Sequence, residues 1–441
     1  MLIKKLAYSF GAVATALSYQ AFSTYIIFFY VDVMKLPPFW AGVGMIIFGL
    51  WNALNDPLFG FISDRTRSRF GRRIPYLLFG AVPFGLVYFL LWTPPFKGID
   101  QVFLLFLYFV MVICLFDGLY TLCILNWAAL YPEMFPSLEE RAQVNAYRQS
   151  FGMLGLVIGI ALPPLIYGTW GWEWMGIIFG LIISLALLIA LWGSRERKEF
   201  SQDKPLSLKE AIWATFANRS FLTFVFANLF VQYTFTLVLA IIPFFAKYVL
   251  RADSVQTFGI LAMAFVVAIP MLFVWRVATV KWGTKLSFML SIFAMAVFLF
   301  PLFFVKSFGS TILVSAFLGA SLAGFILISD CIIAEVIDED EVRTGVRREG
   351  MYFGVNAFVT RSAIGLEALS LSLVFMLTGY NPYIYTQPHS FLWGLRLLMA
   401  GLPALALVLA FVIMFWYPLA GEKLESLRQD LNQIHKRKGV I

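Results

Sequence analysis

The stretch LWNALNDPLFGFISDR, residues 50–65, places an aspartate, Asp56, among asparagines and a proline inside an apolar run. The apolar run predicts a helix over residues 37–62, which is long enough to cross ~30 Å of hydrocarbon. An ionised carboxylate in hydrocarbon is costly, so it is usually shielded, paired or used. The stretch therefore predicts a membrane helix that carries a functional acidic side chain.

The same apolar pattern recurs along the whole chain. Of the 441 residues, 61% are apolar and only 13% are charged, a composition typical of a polytopic membrane protein. The runs that are long enough to cross a bilayer predict twelve membrane helices, at residues 6–34, 37–62, 74–93, 101–131, 145–168, 173–193, 218–249, 254–278, 284–306, 310–336, 350–378 and 389–417.

The basic residues are distributed by side of the membrane. Of the 33 Lys and Arg, the predicted outer connections hold five: Lys35, Lys97, Lys247, Arg251 and Lys306. Nearly all the others fall in the inner connections, which predicts a plasma (inner cell) membrane protein with both termini in the cytoplasm. This distribution also accounts for the net charge of +8 without a nucleic-acid partner.

The residues that catalyse reactions or bind metals are scarce. Three cysteines (Cys114, Cys123 and Cys331) lie inside predicted spans at unrelated spacings, and the only histidines are His389 and His435. Neither set has the spacing of a zinc site or of a nucleophile with its base. We therefore expect no enzyme activity, no metal and no cofactor beyond a coupling ion.

An internal repeat divides the chain into two halves. PEMFPSLEERAQVNAYRQSFG (132–152) aligns without gaps on AEVIDEDEVRTGVRREGMYFG (334–354), and both stretches link an outside-to-inside span to an inside-to-outside one. Equal topology in the two halves indicates a parallel repeat. The predicted organisation is a six-helix bundle (1–193), a cytoplasmic linker (194–217), a second six-helix bundle (218–417) and a cytoplasmic tail (418–441).

The basic loop GFISDRTRSRFGRR (60–73) predicts a conformational latch. Gly60 would allow close helix approach, and Asp64 with Arg65 and Arg72 would pair with each other and with helix C-termini. Simple positive-inside anchoring is the alternative, although it explains only the arginines. Matching charges in the internal repeat are candidates for the same latch: Glu133, Arg141, Glu335 and Arg343.

Four stretches carry a family resemblance: 6–33, WNALNDPLFGFISDRTRSRFGRRIPYLLFG (51–80), 120–152 and 334–363. Together they resemble the glycoside–pentoside–hexuronide:cation symporter family of the major facilitator superfamily. The resemblance implies an all-α membrane fold of twelve helices, in two six-helix halves related by a pseudo-two-fold axis. The lysophospholipid symporters of the same superfamily branch share the pattern, so the resemblance does not name a substrate.

The resemblance also implies a cation site with two carboxylates one turn apart on the second span. Asp56 matches the second carboxylate, but Asn52 stands at the first. The missing charge weakens the case for sodium, and one buried carboxylate is enough for a proton, so the coupling ion is H+ or Na+ with the proton favoured. The family's lysine on span 11 is matched by Arg361, which would shield Asp56 in exchange with the cation or form a permanent pair with it.

The implied sugar site departs further from the family. Its two aspartates fall at Ala16 and Cys123, while its tryptophan is kept as Trp127, so a melibiose-like galactoside pose is not expected. Asp117, near the middle of span 4, is the candidate to bind substrate hydroxyls or to receive a proton. The other substrate candidates are polar or aromatic residues that could line a cavity: Tyr19, Tyr25, Tyr120, Asn126, Gln149, Asp330 and Asn356.

These patterns predict a monomeric transporter that symports a sugar or glycoside with a proton or sodium by alternating access. A symporter of lysophospholipids or other amphiphiles is the close rival, favoured by the lost sugar carboxylates and the 47 Phe residues. A membrane enzyme would need a convergent His, Cys or acidic cluster, and a channel would need no exchangeable charge pair. The expected partners are the small-molecule substrate and the lipid bilayer.

Overall fold

The computed structural model describes residues 2–98, 100–135, 138–196, 218–344, 349–384 and 386–437, and the regular structure in these ranges is helical. In the first half the α-helices are α1 Leu2–Ser9, α2 Gly11–Ile27, α3 Pro38–Arg65, α4 Ile74–Leu91, α5 Val102–Met134, α6 Leu138–Ala161, α7 Pro163–Thr169 and α8 Trp172–Gly193. A π-helical segment, Phe28–Val33, extends α2.

In the second half the α-helices are α9 Arg219–Phe245, α10 Ser254–Trp282, α11 Thr284–Leu299, α12 Phe308–Thr344, α13 Glu349–Thr378, α14 His389–Arg396, α15 Leu402–Phe415 and α16 Glu422–Arg437. π-Helical segments at Ala246–Leu250 and Leu397–Gly401 follow α9 and α14, and a 3₁₀ segment at Phe300–Phe303 follows α11.

The membrane spans agree with the hydropathy prediction. Among the described residues, eleven helical stretches are long and apolar enough to cross a bilayer. The remaining predicted span, 37–62, coincides with α3, a helix of 28 residues and therefore roughly 42 Å long. The all-α membrane fold predicted from the sequence is confirmed.

The chain forms two compact units, and each combines stretches from both halves of the sequence. Unit 1 comprises Met1–Lys204, Leu239–Gly259 and Ala368–Phe391; unit 2 comprises Pro205–Val238, Ile260–Glu367 and Leu392–Ile441. The four-part division predicted from the internal repeat stays a prediction.

In unit 1 small residues allow the closest helix packing. A Cβ atom added at Gly155 or Gly159 of α6 would lie 2.7 or 2.8 Å from a backbone oxygen of α2. Gly180 of α8 meets Gly85 of α4 in the same way, because an added Cβ would lie 2.5 Å from the Gly85 oxygen. Without a hydrophobic driving force in lipid, such close backbone contact is what holds membrane helices together.

In unit 2, close packing at a glycine joins α10 and α12. Gly319 of α12 faces the backbone of Ala264 so closely that a Cβ would collide with it. The Trp275 indole nitrogen donates to the Ala320 oxygen at 2.7 Å. Close backbone packing and an interhelical hydrogen bond therefore fix this helix pair.

Candidate functional site

A fully buried carboxylate lies between α3 and α5 of unit 1. Asp117 Oδ1 accepts a hydrogen bond from Asn52 Nδ2 at 2.8 Å, and Asp117 Oδ2 accepts one from Asn55 Nδ2 at 2.5 Å. Thr121 Oγ1 donates to Asn55 Oδ1 at 3.3 Å. All four side chains are buried, and the exposed fraction of Asp117 is 0%. We call these four residues the carboxylate–amide cluster.

Helical spacing explains why the cluster forms. Asn52 and Asn55 are three residues apart on α3, Asp117 and Thr121 are four apart on α5, and each spacing puts two side chains on one helix face. Asp56 occupies the register position one turn after Asn52, but its side chain lies outside the described part of the chain. The structure thus joins Asn52, a predicted cation ligand, to Asp117, a predicted substrate ligand.

Two predicted substrate residues pack together next to this cluster. The rings of Tyr19 on α2 and Tyr120 on α5 are 5.2 Å apart, and Tyr120 also packs against Phe84 and Phe116. Tyr120 follows Asp117 by three residues and therefore lies one turn along the same helix. An aromatic pair beside polar groups is the kind of wall that binds a small organic molecule.

Two other predicted substrate residues use their polar atoms within the fold. The fully buried Tyr25 hydroxyl donates to the Ile160 oxygen at 2.6 Å. The Trp127 indole donates to the Tyr8 oxygen at 3.0 Å, while the Tyr8 hydroxyl donates back to the Trp127 oxygen at 2.9 Å. These bonds tie α2 to α6 and α1 to α5 within unit 1.

The sequence pattern did not indicate that an arginine side chain lies beside Trp127. The Arg148 guanidinium of α6 lies 4.5 Å from the centre of the Trp127 ring and 4.8 Å from that of Tyr131, a cation–π arrangement. The nearby candidate Asn126 donates to the Leu122 oxygen of its own helix at 2.8 Å, and its buried Oδ1 accepts no hydrogen bond from a described residue. Gln149, predicted from its neighbourhood, is exposed.

The remaining substrate candidates belong to unit 2. Asn356 on α13 accepts a hydrogen bond from Asn228 Nδ2 of α9 at 2.9 Å. Asp330 is exposed on α12, and Arg361 is half-buried on α13. The expected exchange between Asp56 and Arg361 stays a prediction, because the Asp56 side chain lies outside the described residues.

The predicted latch loop holds a carboxylate that the sequence did not single out. Glu196 accepts hydrogen bonds from the backbone N–H groups of Arg72, at 2.8 and 2.9 Å, and of Arg73, at 3.1 Å. The Arg72 side chain approaches it at 3.9 Å. Gly71 has φ of +110°, and a Cβ there would collide with the Glu196 carboxylate. Consecutive N–H groups at a helix start form this anion cradle.

The latch stays a prediction. Among the described atoms, a Cβ at Gly60 would lie 3.9 Å from Leu125 Cδ2, an ordinary contact. Arg65 is exposed, and the side chains of Asp64, Glu133 and Arg141 lie outside the described part. In the second repeat, Thr284 donates to Glu335 at 2.6 Å, and Arg343 lies 3.5 Å from Asp340 of its own helix.

Removing the Glu196 carboxylate should destabilise unit 1. Glu196→Ala removes the charged acceptor of three N–H···O contacts. We expect the free energy of unfolding to fall by about 2 kcal/mol. Thermal and denaturant unfolding in detergent measures it, with Glu425→Ala, an exposed glutamate of α16, as the matched control. A Glu196→Ala protein as stable as the control would contradict a structural role for the cradle.

A second buried carboxylate, Asp32, lies at the far end of α2 from the N-terminus. It is 1% exposed, and its Oδ2 lies 2.5 Å from Lys247 Nζ. Tyr248 and Tyr380 both donate their hydroxyls to its Oδ1, the latter at 2.8 Å. Lys35 Nζ donates to the Asp32 backbone oxygen at 2.7 Å. These five residues, all in unit 1, form the Asp32 cluster.

Electrostatics keep the Tyr380 hydroxyl of this cluster protonated. Burial, reinforced by the negative charge of Asp32, holds the pKa of Tyr380 well above its usual range. The Tyr380 hydroxyl therefore stays protonated at neutral pH and remains a donor to the Asp32 carboxylate.

A short repeat in the sequence would have indicated the Asp32 cluster. FFYVDVMK (28–35) matches FFAKYVLR (244–251), and each stretch contains a π-helical segment. Lys35 and Arg251 share left-handed backbone conformations, with φ of 66° and 53°. The Leu36 N–H donates to the Tyr30 oxygen and the Ala252 N–H to the Ala246 oxygen, both at 2.9 Å. The two helix ends therefore have the same C-terminal geometry.

The fold is a bundle of membrane-length helices with buried polar clusters inside it. The family model described as "MFS/sugar transport protein" matches residues 7–421. The chain belongs to this family of major facilitator transporters, and the predicted superfamily membership is confirmed.

Relatives and a solved structure extend the comparison. The chain is 26% identical to a sodium-dependent lysophosphatidylcholine symporter 1 of Gallus gallus, over 97% of this chain and 90% of the relative. It is 24% identical to an isoprimeverose transporter of Lactiplantibacillus pentosus, over 99% of this chain and 93% of the relative. Its fold resembles a crystal structure of a D-xylose-proton symporter, with a TM-score of 0.67, 14% identity and coverage of 96% and 98% of the two chains.

Proposed function

We propose that this protein is a cation-coupled symporter that carries a sugar or glycoside across the cell membrane by alternating access. Its two six-helix halves rock about a central site, and H+ or Na+ supplies the driving force. The protein works as a monomer with both termini in the cytoplasm. Family membership supports transport. The relative described as a sodium-dependent symporter supports cation coupling, and the relative described as an isoprimeverose transporter supports a sugar substrate.

The observation that carries cation coupling is the fully buried Asp117 between α3 and α5. A carboxylate at membrane depth is costly, and the usual reason to keep one is an ion or proton pathway. The carboxylate–amide cluster, with Asp56 in the adjacent register position, is therefore the proposed centre of coupling.

A lysophospholipid or other amphiphile is the second candidate substrate, and one observation favours it. Cys123, which stands where the family's sugar aspartate is expected, is fully buried and packs against α4. Its thiol donates to the Tyr76 oxygen at 3.7 Å, and a Cβ at Gly80 would lie 2.5 Å from its sulfur. The buried thiol bonds to α4, and this position offers no carboxylate to a sugar hydroxyl. The Tyr19–Tyr120 pair and the family description support the sugar.

Uptake into proteoliposomes tests both candidates. Purified protein is reconstituted, and an inward proton or sodium gradient is imposed separately with a panel of labelled pentosides, glycosides and lysophospholipids. We expect gradient-driven accumulation of a sugar or glycoside above the level reached without a gradient. Accumulation of lysophospholipids alone would assign the second candidate. Flux that neither gradient accelerates would contradict symport, and protein-free vesicles give the baseline.

A further inference from the structure

Another buried carboxyl group, that of Glu367, lies near the middle of the membrane span Gly354–Thr378. Glu367 is 1% exposed, and its Oε2 atom is buried without a hydrogen-bond partner among the described residues. The same side of α13 buries Ile364 and Leu371, one turn away in each direction, whereas Leu366 is exposed. Glu367 therefore lies on the protein-facing side of α13 and not on its lipid-facing side.

The surroundings of Glu367 differ from those of the other buried carboxylates described above. Asp117 accepts two amide N–H groups, Asp32 contacts an ammonium group and two tyrosine hydroxyls, and Glu335 accepts a threonine hydroxyl. Such donors stabilise the charged form of a carboxyl group, whereas burial without them favours the neutral acid. The surroundings of Glu367 therefore favour the protonated form.

Contacts on both sides of Glu367 pair α13 with α9. Within unit 2, Asn228 Nδ2 donates to Asn356 Oδ1 at 2.9 Å. Within unit 1, the rings of Phe244 and Phe375 are 4.9 Å apart. Glu367 lies between Asn356 and Phe375 along α13, so a rearrangement of α9 against α13 is what would bring water to its carboxyl group.

No charged partner takes the place of a proton on Glu367. The titratable or charged side chains within the neighbouring spans and on α13 itself are Tyr233 on α9, Asp330 on α12, Arg361 on α13 and Arg396 on α14. Among the described residues Glu367 forms no ion pair with any of them. The helix α3, which meets α13 where Ser372 donates to the Pro38 oxygen, carries no titratable side chain before Asp56.

We propose that Glu367 is a proton-binding site of the transport cycle, separate from the carboxylate–amide cluster. The carboxyl group holds its proton while α9 and α13 pack as described here, and it releases the proton to water when the two helices rearrange. The O–H bond breaks at that step, and water stabilises the carboxylate that remains. This proposal rests on the proposed transport cycle, which moves the helices, and it holds whichever cation the cluster binds.

Infrared spectroscopy of the purified protein tests the protonation without a substrate. At about pH 8 exposed carboxyl groups are ionised, so the C=O stretch of a neutral carboxylic acid reports only buried groups. We expect this band in the wild type and in Glu425→Gln, a variant of an exposed glutamate. The band should be lost or reduced in Glu367→Gln, whose amide keeps the shape of the neutral acid and lets the helices pack.

Proton movement tests the role in transport. Proteoliposomes that contain each variant receive the substrate identified by the uptake screen, and a pH-sensitive dye follows the protons that enter with it. In Glu367→Gln we expect fewer protons to enter per substrate molecule than in the wild type and in Glu425→Gln, because an amide has no acidic proton to exchange. Exchange of labelled for unlabelled substrate should continue in all three proteins.

The outcomes separate this proposal from the proposed symport. A neutral-acid band that Glu367→Gln fully retains overturns the proposal, and so does an unchanged ratio of protons to substrate. A wild type that sodium drives without any proton entry overturns the proposal but leaves the symport standing, whereas a wild type that neither gradient drives overturns both. If Glu367→Gln does not fold, Glu367→Asp decides, because its shorter side chain moves the carboxyl group and should shift the band. An unchanged band in folded Glu367→Asp overturns the assignment of the proton to Glu367.

Discussion

Asp32→Ala is expected to lower the free energy of unfolding by about 3 kcal/mol, a value at the lower end for a broken buried ion pair. The substitution removes the acceptor of two tyrosine hydroxyls and the partner of Lys247. The loss should lie at the lower end of the range for buried pairs because the Lys247 side chain is 36% exposed. Water can therefore solvate its ammonium group once Asp32 is removed. Denaturant unfolding of the purified protein measures the loss, with Asp100→Ala, an exposed loop aspartate, as control.

A double-mutant cycle separates the ion pair from the tyrosine bonds. Asp32→Asn keeps a hydrogen-bond acceptor for Tyr380 and removes only the charge, so it should cost less than Asp32→Ala. Lys247→Met combined with Asp32→Asn should cost less than the sum of the two single changes, because contacting residues are coupled. Additive losses would show that Asp32 and Lys247 do not interact, and a stable Asp32→Ala would refute the buried pair.

The Asp32 cluster also has a consequence for transport. It ties the end of α2 to the π-helical segment after α9 and to the chain after α13, all within unit 1. The predicted topology places these ends on the outer side of the membrane. We expect the cluster to favour the arrangement described here over any other in which these contacts are broken.

Hydropathy alone was sufficient to predict the membrane spans, because each must be apolar for about 20 residues wherever it packs. The side of each helix that faces a neighbour was not predictable in this way. Span 4 is apolar around most of its circumference, so no periodicity indicated that Asp117 faces Asn52 and Asn55. The rotation of α5 about its own axis relative to α3 is set by tertiary packing, which the sequence pattern does not encode.

Other parts of the site were missed for different physical reasons. Glu196 lies in a polar segment that has the composition of an ordinary connection, and its role depends on two backbone N–H groups, which carry no sequence signal. Asp32 was not singled out because the repeat between 28–35 and 244–251 is short. Close helix packing occurs at Gly155 and Gly159, which no motif in the sequence marked. Small residues that bring backbones together were therefore not identifiable from the sequence alone.

Asp56→Asn is expected to abolish accumulation against a gradient in proteoliposomes, with the substrate identified by the uptake screen. The amide fills the same space as the carboxylate without its charge, so the fold should survive. Asp56 follows Asn52 by one turn of α3, which puts its register position beside the carboxylate–amide cluster. Removing its charge takes away an anionic oxygen that a coupling cation needs.

Downhill exchange distinguishes loss of coupling from loss of binding. Exchange of labelled for unlabelled substrate needs no net movement of the ion, so it should continue in Asp56→Asn while accumulation disappears. Asp100→Asn, an exposed aspartate before α5, should accumulate substrate as the wild type does. Full accumulation by Asp56→Asn would make Asp56 structural and leave coupling to Asp117. Loss of exchange together with accumulation, at unchanged thermal stability, would instead place Asp56 in the substrate site.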